Sequence, residues 1–577
     1  MNRISLIKHF FLLFIITGSF ACSGPTTPEE PIGREALIRD SLRRISEARF
    51  SETREAVAEN IRQIIETNEP GEKFRLNDLT LYSTELLTKI YIENTFYPLW
   101  IKQFDSTVKM EEMAEFIGET VYHGLIPDEY HSGEIARELE KLKADSTLIF
   151  DAGYLSRLDL MLTDAWFLLA SHLYYGKVAP EKLTAQWEIR RDKPAVPFTA
   201  NLKTMLTTET VADGFRHLYP SHQGYELMVA EAKRLSAMKE GDFQIKAEIK
   251  NGSIKPGDSL PAIAEIKRKL EFLGLYTPDT LTHPDKYDEK LEVSVKKLQE
   301  QFGFNTDGAI GKNALKALNM PLEQRINQLY VNMERLRWLP DSLEAINIWV
   351  NIAGFTLEAY RGNDTLLSMR IIAGKEYRAT PIFNARITYL VFSPSWTVPP
   401  TIQRKDIIPE LTKDIGYLTK KNMKIYDSKG NLVDPSTVNW SKSGMKYTIR
   451  QAPGPQNSLG KVKFMFPNKY NVYLHDTPSH SLFSRDERTF SSGCIRIEKP
   501  DELAALLLAD MPGWDMERIK QAMNSRAERT VVLNSPAGVY ITYLTAWGNR
   551  NGTIHHRVDI YNRDDEMVKA LRERTVK

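Results

Sequence analysis

The spacing of apolar residues changes character along the chain. From 33 to 68 apolar positions are sparse among charges (Ile38, Leu42, Ile45, Val57, Ile61, Ile64, Ile65), the pattern of an amphipathic helical stalk or a solvated spacer. Across 75–250 the spacing is mostly helical. Met110 to Val121 repeats at helical intervals, and Leu158 to Tyr175 is apolar on most of its surface, which predicts a buried helix. The region reads as a helical scaffold, with His172 as a packing residue. Residues 255–320 predict a compact three-helix unit: Ile263, Ile266, Leu270 and Leu273, then Val293, Val295, Leu298 and Phe302, then a glycine-bearing turn and a third helix through Leu318.

From 345 the period becomes two. Ile346, Ile348, Val350 and Ile352 alternate with Asn347, Trp349 and Asn351, predicting a strand. Phe355 to Tyr360 and Leu366 to Ala373 flank the turn Arg361–Asp364 as a hairpin. Ile387 to Phe392 reads as a further strand, and the prolines of Ser393–Pro400 predict a loop. Residues 402–455 break the pattern and read as a lid-like insertion. Strands resume at Lys461 to Pro467 and Asn471 to His475. Val531 to Leu533 and Val539 to Leu544 read as a hairpin. The fold class is therefore multidomain α+β. A signal segment (1–22) and a linker or stalk (23–74) precede the scaffold (75–250) and the three-helix unit (255–320). A mostly-β domain (345–535) and a C-terminal hairpin and helix (536–577) follow.

Composition narrows the class. The chain has 577 residues, 42% hydrophobic and 26% charged, with a formal net charge of +1. It is long enough for several domains, and neither its net charge nor any long basic run points to nucleic acid. The N-terminus reads as an export signal: Arg3 and Lys8, then the apolar run Phe10 to Ile16, too short for a typical spanning helix. Gly18-Ser19-Phe20-Ala21-Cys22 resembles a bacterial lipoprotein cleavage box, with Cys22 as the lipidated residue and a membrane as partner. The expected location is the periplasm. If Cys22 is lipidated, Cys494 is the only free thiol among the two cysteines.

Candidate chemistry gathers at 473–496. A thiol needs a base or a positive field to become nucleophilic, and His475 precedes Cys494 in a Tyr473-Leu-His475 strand. Gly493 lets backbone approach the nucleophile, and N–H groups at Ser492 and Gly493 are candidate oxyanion donors. Tyr473 shares a strand face with His475 and is a candidate pocket residue. Arg496 meets a substrate carboxylate or orders the loop. Trp396 walls a substrate groove or belongs to a core. Asp476 falls on the opposite face from His475, and His480 is a weaker rival base. The helical region shows no metal-ligand spacing, and neither metal nor cofactor is implied.

Two resemblances follow. Asp307-Gly308-Ala309-Ile310-Gly311, with Ala317-Leu318, resembles the three-helix peptidoglycan-binding domain, some members of which only pack against a neighbour. His475-Asp476-Thr477 and Ser491-Ser492-Gly493-Cys494-Ile495-Arg496, with Gly374-Lys375, Thr380-Pro381 and Pro394-x-Trp396-x-Val398-Pro399, resemble the L,D-transpeptidases of bacterial cell walls. The likeness covers roughly 75–575 and is to the large periplasmic branch, which has a scaffold, a peptidoglycan-binding domain and a lid. Small members usually carry Gly after the histidine and an imidazole before Gly-Cys; here Asp476 and Ser492 stand instead, so orienting His475 falls to another group, such as a backbone carbonyl. The resemblance implies Cys494 as nucleophile and His475 as proton donor and acceptor. Peptidoglycan stem peptides would be donor and acceptor, and carbapenems would inhibit. Trimming of D-Ala, attachment of a protein to the wall, or a non-catalytic wall-binding lipoprotein are the alternatives. A papain-like order would place Cys before His, and a sortase would place His much further upstream.

Overall fold

The computed structural model describes residues 32–574, apart from 69–71, 77–78, 186, 190–192, 209, 223, 247–248, 250–251, 279–282 and 341–343. The export signal and the Cys22 box lie outside the described residues. The first helix, Ile32–Thr67, is two-faced along its length. Leu37, Leu42 and Ile45 in its first half are exposed, whereas Phe50, Val57, Ile61 and Ile65 are buried in the scaffold core. That core is organised around the helix Ala152–Tyr175, whose Leu160, Leu162, Trp166 and Phe167 are fully buried. Asp151 starts this helix by accepting from the Tyr154 N–H at 2.9 Å, and Gly176, at φ +89°, ends it. Two strands, β1 (Phe74–Leu76) and β2 (Leu79–Leu81), form a small hairpin, and β3 (Trp187–Glu188) leaves the scaffold altogether.

The mostly-β domain opens with a meander, β4 (Asn347–Asn351), β5 (Thr356–Arg361) and β6 (Asp364–Gly374), followed by β7 (Ile382–Phe392). The insertion contributes β8 (Trp396–Thr397), β9 (Met423–Tyr426), β10 (Leu432–Val433) and β11 (Thr448–Gln451), a separate four-stranded sheet. Then come β12 (Val462–Met465), β13 (Leu474–His475), β14 (Thr489–Ser491), β15 (Ile495–Ile497), β16 (Arg529–Thr542), and the hairpin β17 (Ala546–Gly548) with β18 (Ile554–His556). The order β12-β13-β15-β6-β5-β4-β16-β7 closes on itself because β12 also pairs with β7. The start of that edge of β7 is met by β3, in register Trp187↔Ile382 and Glu188↔Phe383. A segment from the helical region thus joins the large sheet.

Two strand expectations are corrected. The residues read as a hairpin at 531–544 form the single strand β16, which runs past its neighbour β7 with a bulge between Val532 and Ala537. Pro536 sits in that bulge, where the missing N–H leaves no ladder bond broken. The Ser393–Pro400 loop contains the paired strand β8, because Trp396 and Thr397 lie between the prolines and keep their N–H groups.

The helix Leu322–Arg337 joins the parts, and its charges are buried. Glu334 accepts from the Val178 N–H at 2.6 Å and pairs with Arg337 at 2.6 Å. Arg337 Nη2 donates to the His123 carbonyl and the Tyr225 hydroxyl, both scaffold groups, while its buried Nε has no hydrogen-bond partner. Arg335 pairs with Asp564 of the C-terminal helix Asp564–Arg572 at 2.7 Å. The three-helix unit docks on the catalytic part through Asn305, which reaches Asp486 and the Ser484 carbonyl at 3.1 Å each. Its apolar core is continuous with that of the catalytic sheet, whereas the insertion has its own, built on Trp396, Ile425, Trp440 and Ile449.

Candidate active site

Strands β13 and β15 lie side by side and parallel, in register Leu474↔Ile495 and His475↔Arg496, and the Ile495 N–H donates to the Tyr473 carbonyl at 3.2 Å. Leu474 and Ile495 are fully buried in the core. Side chains alternate across a sheet, so Tyr473, His475, Cys494 and Arg496 share the other face. Extending the register sets Cys494 opposite Tyr473 and diagonal to His475, roughly 8 Å between Cα atoms from strand spacing and rise. An imidazole and a thiol span that separation.

His475 is buried, and its Nδ1 donates to the Asp476 backbone carbonyl at 2.6 Å. A carbonyl only accepts, so the proton sits on Nδ1 and the lone pair on Nε2. Burial, and then the Arg496 charge, hold the imidazole pKa down at about 3, against the pull of the Asp476 and Leu459 carbonyls. Cys494 is half-buried. Burial pushes its thiol pKa up, opposed by hydrogen bonds from Tyr473 and by the Arg496 charge. The thiol itself contacts the Asn471 carbonyl at 3.8 Å. The resting pair is therefore neutral imidazole beside neutral thiol. Such a pair activates sulfur by proton transfer during attack and does not hold a standing thiolate.

The remaining expected residues divide. Tyr473 stands edge-on to the His475 ring at 5.7 Å and packs against both the sheet core and the insertion core. Arg496 faces the thiol, and its buried Nε has no hydrogen-bond partner. The Asp476 side chain turns away: its Oδ2 accepts from the Lys461 N–H at 2.8 Å, and Asp476 holds His475 through its backbone carbonyl alone. His480 is exposed and lies 3.7 Å from Asp476. Trp396 and the Gly493 N–H have structural partners of their own. Trp396 is buried in the insertion core and paired through β8, so the structure gives it a packing role. The Gly493 N–H already donates to Ser491 Oγ at 3.2 Å, which leaves it occupied as an oxyanion donor.

The turn after β6 supplies supports that the residue pattern left unassigned. Gly493 has φ +113°, a conformation L side chains rarely adopt, and Thr380 Oγ1 donates to its carbonyl at 3.0 Å. Thr380 Oγ1 in turn accepts from the Gly374 N–H at 3.0 Å. A Cβ at Gly374 would lie 2.2 Å from the Arg378 carbonyl, so only glycine fits there. The Tyr561 hydroxyl, from the C-terminal segment, donates to the Gly374 carbonyl at 2.6 Å. The Lys375 N–H bonds Ser491 O at 3.1 Å. Gly374 and Thr380 belong to a stretch singled out from sequence; Tyr561 had no such signal. No group of three or more potential metal ligands occurs among the described residues.

Residues 346–531 match the family model described as L,D-transpeptidase catalytic domain. The chain carries an L,D-transpeptidase catalytic domain. Upstream of the transpeptidase domain, residues 85–231 match a scaffold domain and 259–318 a domain provisionally described as peptidoglycan binding. A Haemophilus influenzae protein provisionally named an L,D-transpeptidase is 38% identical over 251 residues, which is 43% of this chain and 50% of that protein. The chain thus spans about half the length of this curated relative. Among solved structures, an L,D-transpeptidase from Stackebrandtia nassauensis is 14% identical, covering 52% of this chain and 97% of that one, at a TM-score of 0.21. An L,D-transpeptidase fragment from Xylanimonas cellulosilytica is 12% identical, covering 51% and 100%, at a TM-score of 0.18. A third, solved in complex with imipenem, is 14% identical, covering 34% and 59%, at 0.18.

Proposed function

We propose that this chain is a cell-wall L,D-transpeptidase that joins the third residues of two peptidoglycan stems through a thioester on Cys494. The observation carrying this reading is the single strand-pair face holding Cys494 and a His475 with its lone pair on Nε2, inside a domain of that family. In the first half, His475 Nε2 takes the thiol proton as sulfur attacks the carbonyl carbon of the third stem residue, a diamino acid. The bond to the terminal D-Ala nitrogen breaks, and His475 returns the proton to that leaving amine. In the second half, the side-chain amine of another stem attacks the thioester and gives its proton to His475. The C–S bond breaks and the thiol re-forms. The developing oxyanion is met by N–H groups between Ser492 and Cys494, with the engaged Gly493 N–H contributing least. Neither metal nor cofactor enters these steps.

Water as the acceptor would give D-Ala trimming, and a protein amine would give attachment to the wall. The same first half serves all three. The matched peptidoglycan-binding domain supports a wall substrate over a soluble peptide. A carbapenem would acylate Cys494 by the same attack. Export and lipid anchoring at Cys22 complete the proposal and place the enzyme in the periplasm. Incubating the purified chain with disaccharide-tetrapeptides and analysing the products tests it: a D-Ala-releasing dimer lost in Cys494→Ala supports the reading, and unchanged products in that variant would refute it. Intact mass after carbapenem treatment checks the adduct independently.

A further inference from the structure

One side chain ties the insertion to the nucleophile loop. Arg378 stands on the turn Glu376–Arg378 that follows β6. Its Nη1 donates to Ser492 Oγ at 2.7 Å and to Asp406 Oδ2 at 2.5 Å, and its Nη2 donates to Asp406 Oδ1 at 3.2 Å. Ser492 is two residues before the nucleophile. Asp406 lies in the insertion, within the π-helical turn Gln403–Ile407, a rare geometry that concentrates at functional sites. The Arg378 side chain is only 13% exposed and Asp406 44%. The Arg378 backbone is fixed as well: its N–H donates to the Lys375 carbonyl at 2.8 Å, and its carbonyl packs against Gly374, beside Gly493. A guanidinium can hold a carboxylate by two nitrogens and a hydroxyl at once, whereas a lysine ammonium is a point charge without that fork.

We propose that Arg378 is a positioning residue that transmits the seating of the insertion to the loop bearing Cys494. The proposal rests on the reading of Cys494 as nucleophile for its catalytic meaning, but not for its physical content. With Asp406 in place, Arg378 is oriented to fix Ser492, and Ser492 fixes the approach to Gly493 and Cys494. With the insertion displaced, Arg378 loses its carboxylate and Ser492 its fixed donor, so the loop loosens around the thiol. The insertion has its own core, so this charged contact is a direct link from that core's segment to the nucleophile loop.

The test measures the rate of Cys494 alkylation by iodoacetamide on the full chain, followed by peptide mass spectrometry, in Asp406→Asn, Ser492→Ala and the double variant. Asp406 is exposed enough for its amide variant to leave folding intact. The expected result is alkylation faster by about threefold or more in each single variant, with the double variant no faster than the faster single, the non-additivity of one shared network. Arg378→Lys should behave like Asp406→Asn. Hydrogen exchange should quicken at 489–494 as well as at 400–413 in Asp406→Asn. An unchanged or slower alkylation in Asp406→Asn, multiplicative effects in the double variant, or exchange changes confined to 400–413 would each overturn the proposal. Alkylation needs no turnover, so coupling without any cross-linking activity would refute the proposed function and leave this inference standing.

Discussion

His475 of the catalytic sheet and His172 of the scaffold share one electrostatic fate. Both are buried, and burial above all holds each at a pKa of about 3. His123 makes a third case, also at about 3. Their partners differ. His172 Nδ1 meets the Tyr130 hydroxyl at 2.8 Å, and His123 Nδ1 meets the Tyr225 hydroxyl at 3.0 Å, both inside packed helical structure. His475 spends Nδ1 on a backbone carbonyl and sits on the face that carries a thiol. A depressed histidine pKa therefore marks burial. What sets His475 apart is the strand face it shares with Cys494.

The sharpest break between the two regions is chemical. Cys494→Ala should abolish carbapenem acylation, and His475→Asn should slow it by about a thousandfold or more, read by intact mass against time. His172→Gln should leave the acylation rate per folded molecule unchanged. Equal losses from His475→Asn and His172→Gln would erase the distinction drawn here.

Stability inverts the ranking. Arg337→Met removes the ionic partner of Glu334 in a fully buried pair on the helix Leu322–Arg337, leaving it the Val178 N–H. Removing one partner of such a pair costs about 3–5 kcal/mol, measured by denaturant unfolding, while acylation by the folded fraction persists.

Acid should treat the regions alike in stability and unlike in rate. Each of the three histidines is neutral when folded and protonates near 6.5 when unfolded. The unfolded chain thus binds more protons between 6.5 and about 3. Their contribution is complete above 6.5 and is lost as pH falls, by up to about 1.4 kcal/mol per pH unit for each histidine. Denaturation midpoints between pH 7 and 5 check this. The acylation rate should show no inflection at 6.5, because His475 stays unprotonated there; a rate that halves near 6.5 would contradict the depressed value.

The smallest effect belongs to a distant support. Tyr561→Phe removes the hydroxyl held by the Gly374 carbonyl and should cost about 1 kcal/mol of stability. It should slow acylation several-fold, through the Gly374–Thr380–Gly493 chain of hydrogen bonds.

The β character from 345 onward was legible because one face of each strand is buried, which imposes alternation on residues such as Ile348 and Val350. That Cys494 and His475 share one strand face was legible from the alternation around Leu474 and Ile495. The helix Leu322–Arg337 was not, since Glu334, Arg335 and Arg337 look like a solvated surface, and the partners that let them be buried include groups far away in the chain. Tyr561 acts through its hydroxyl across 187 positions, a separation that no local pattern encodes. Strand β16 was split by its Ser535-Pro536 step, which reads as a turn and folds as a bulge.

The two residues of β3 carry a consequence for handling the molecule. They occupy backbone on β7 that β12 does not reach. A fragment beginning at 345 would expose that stretch of strand, with Ile382 and Phe383 beside it, as a template for intermolecular pairing. Such a fragment should precipitate or form oligomers by sheet extension, and solubility thus depends on a dipeptide that precedes the fragment by more than a hundred residues.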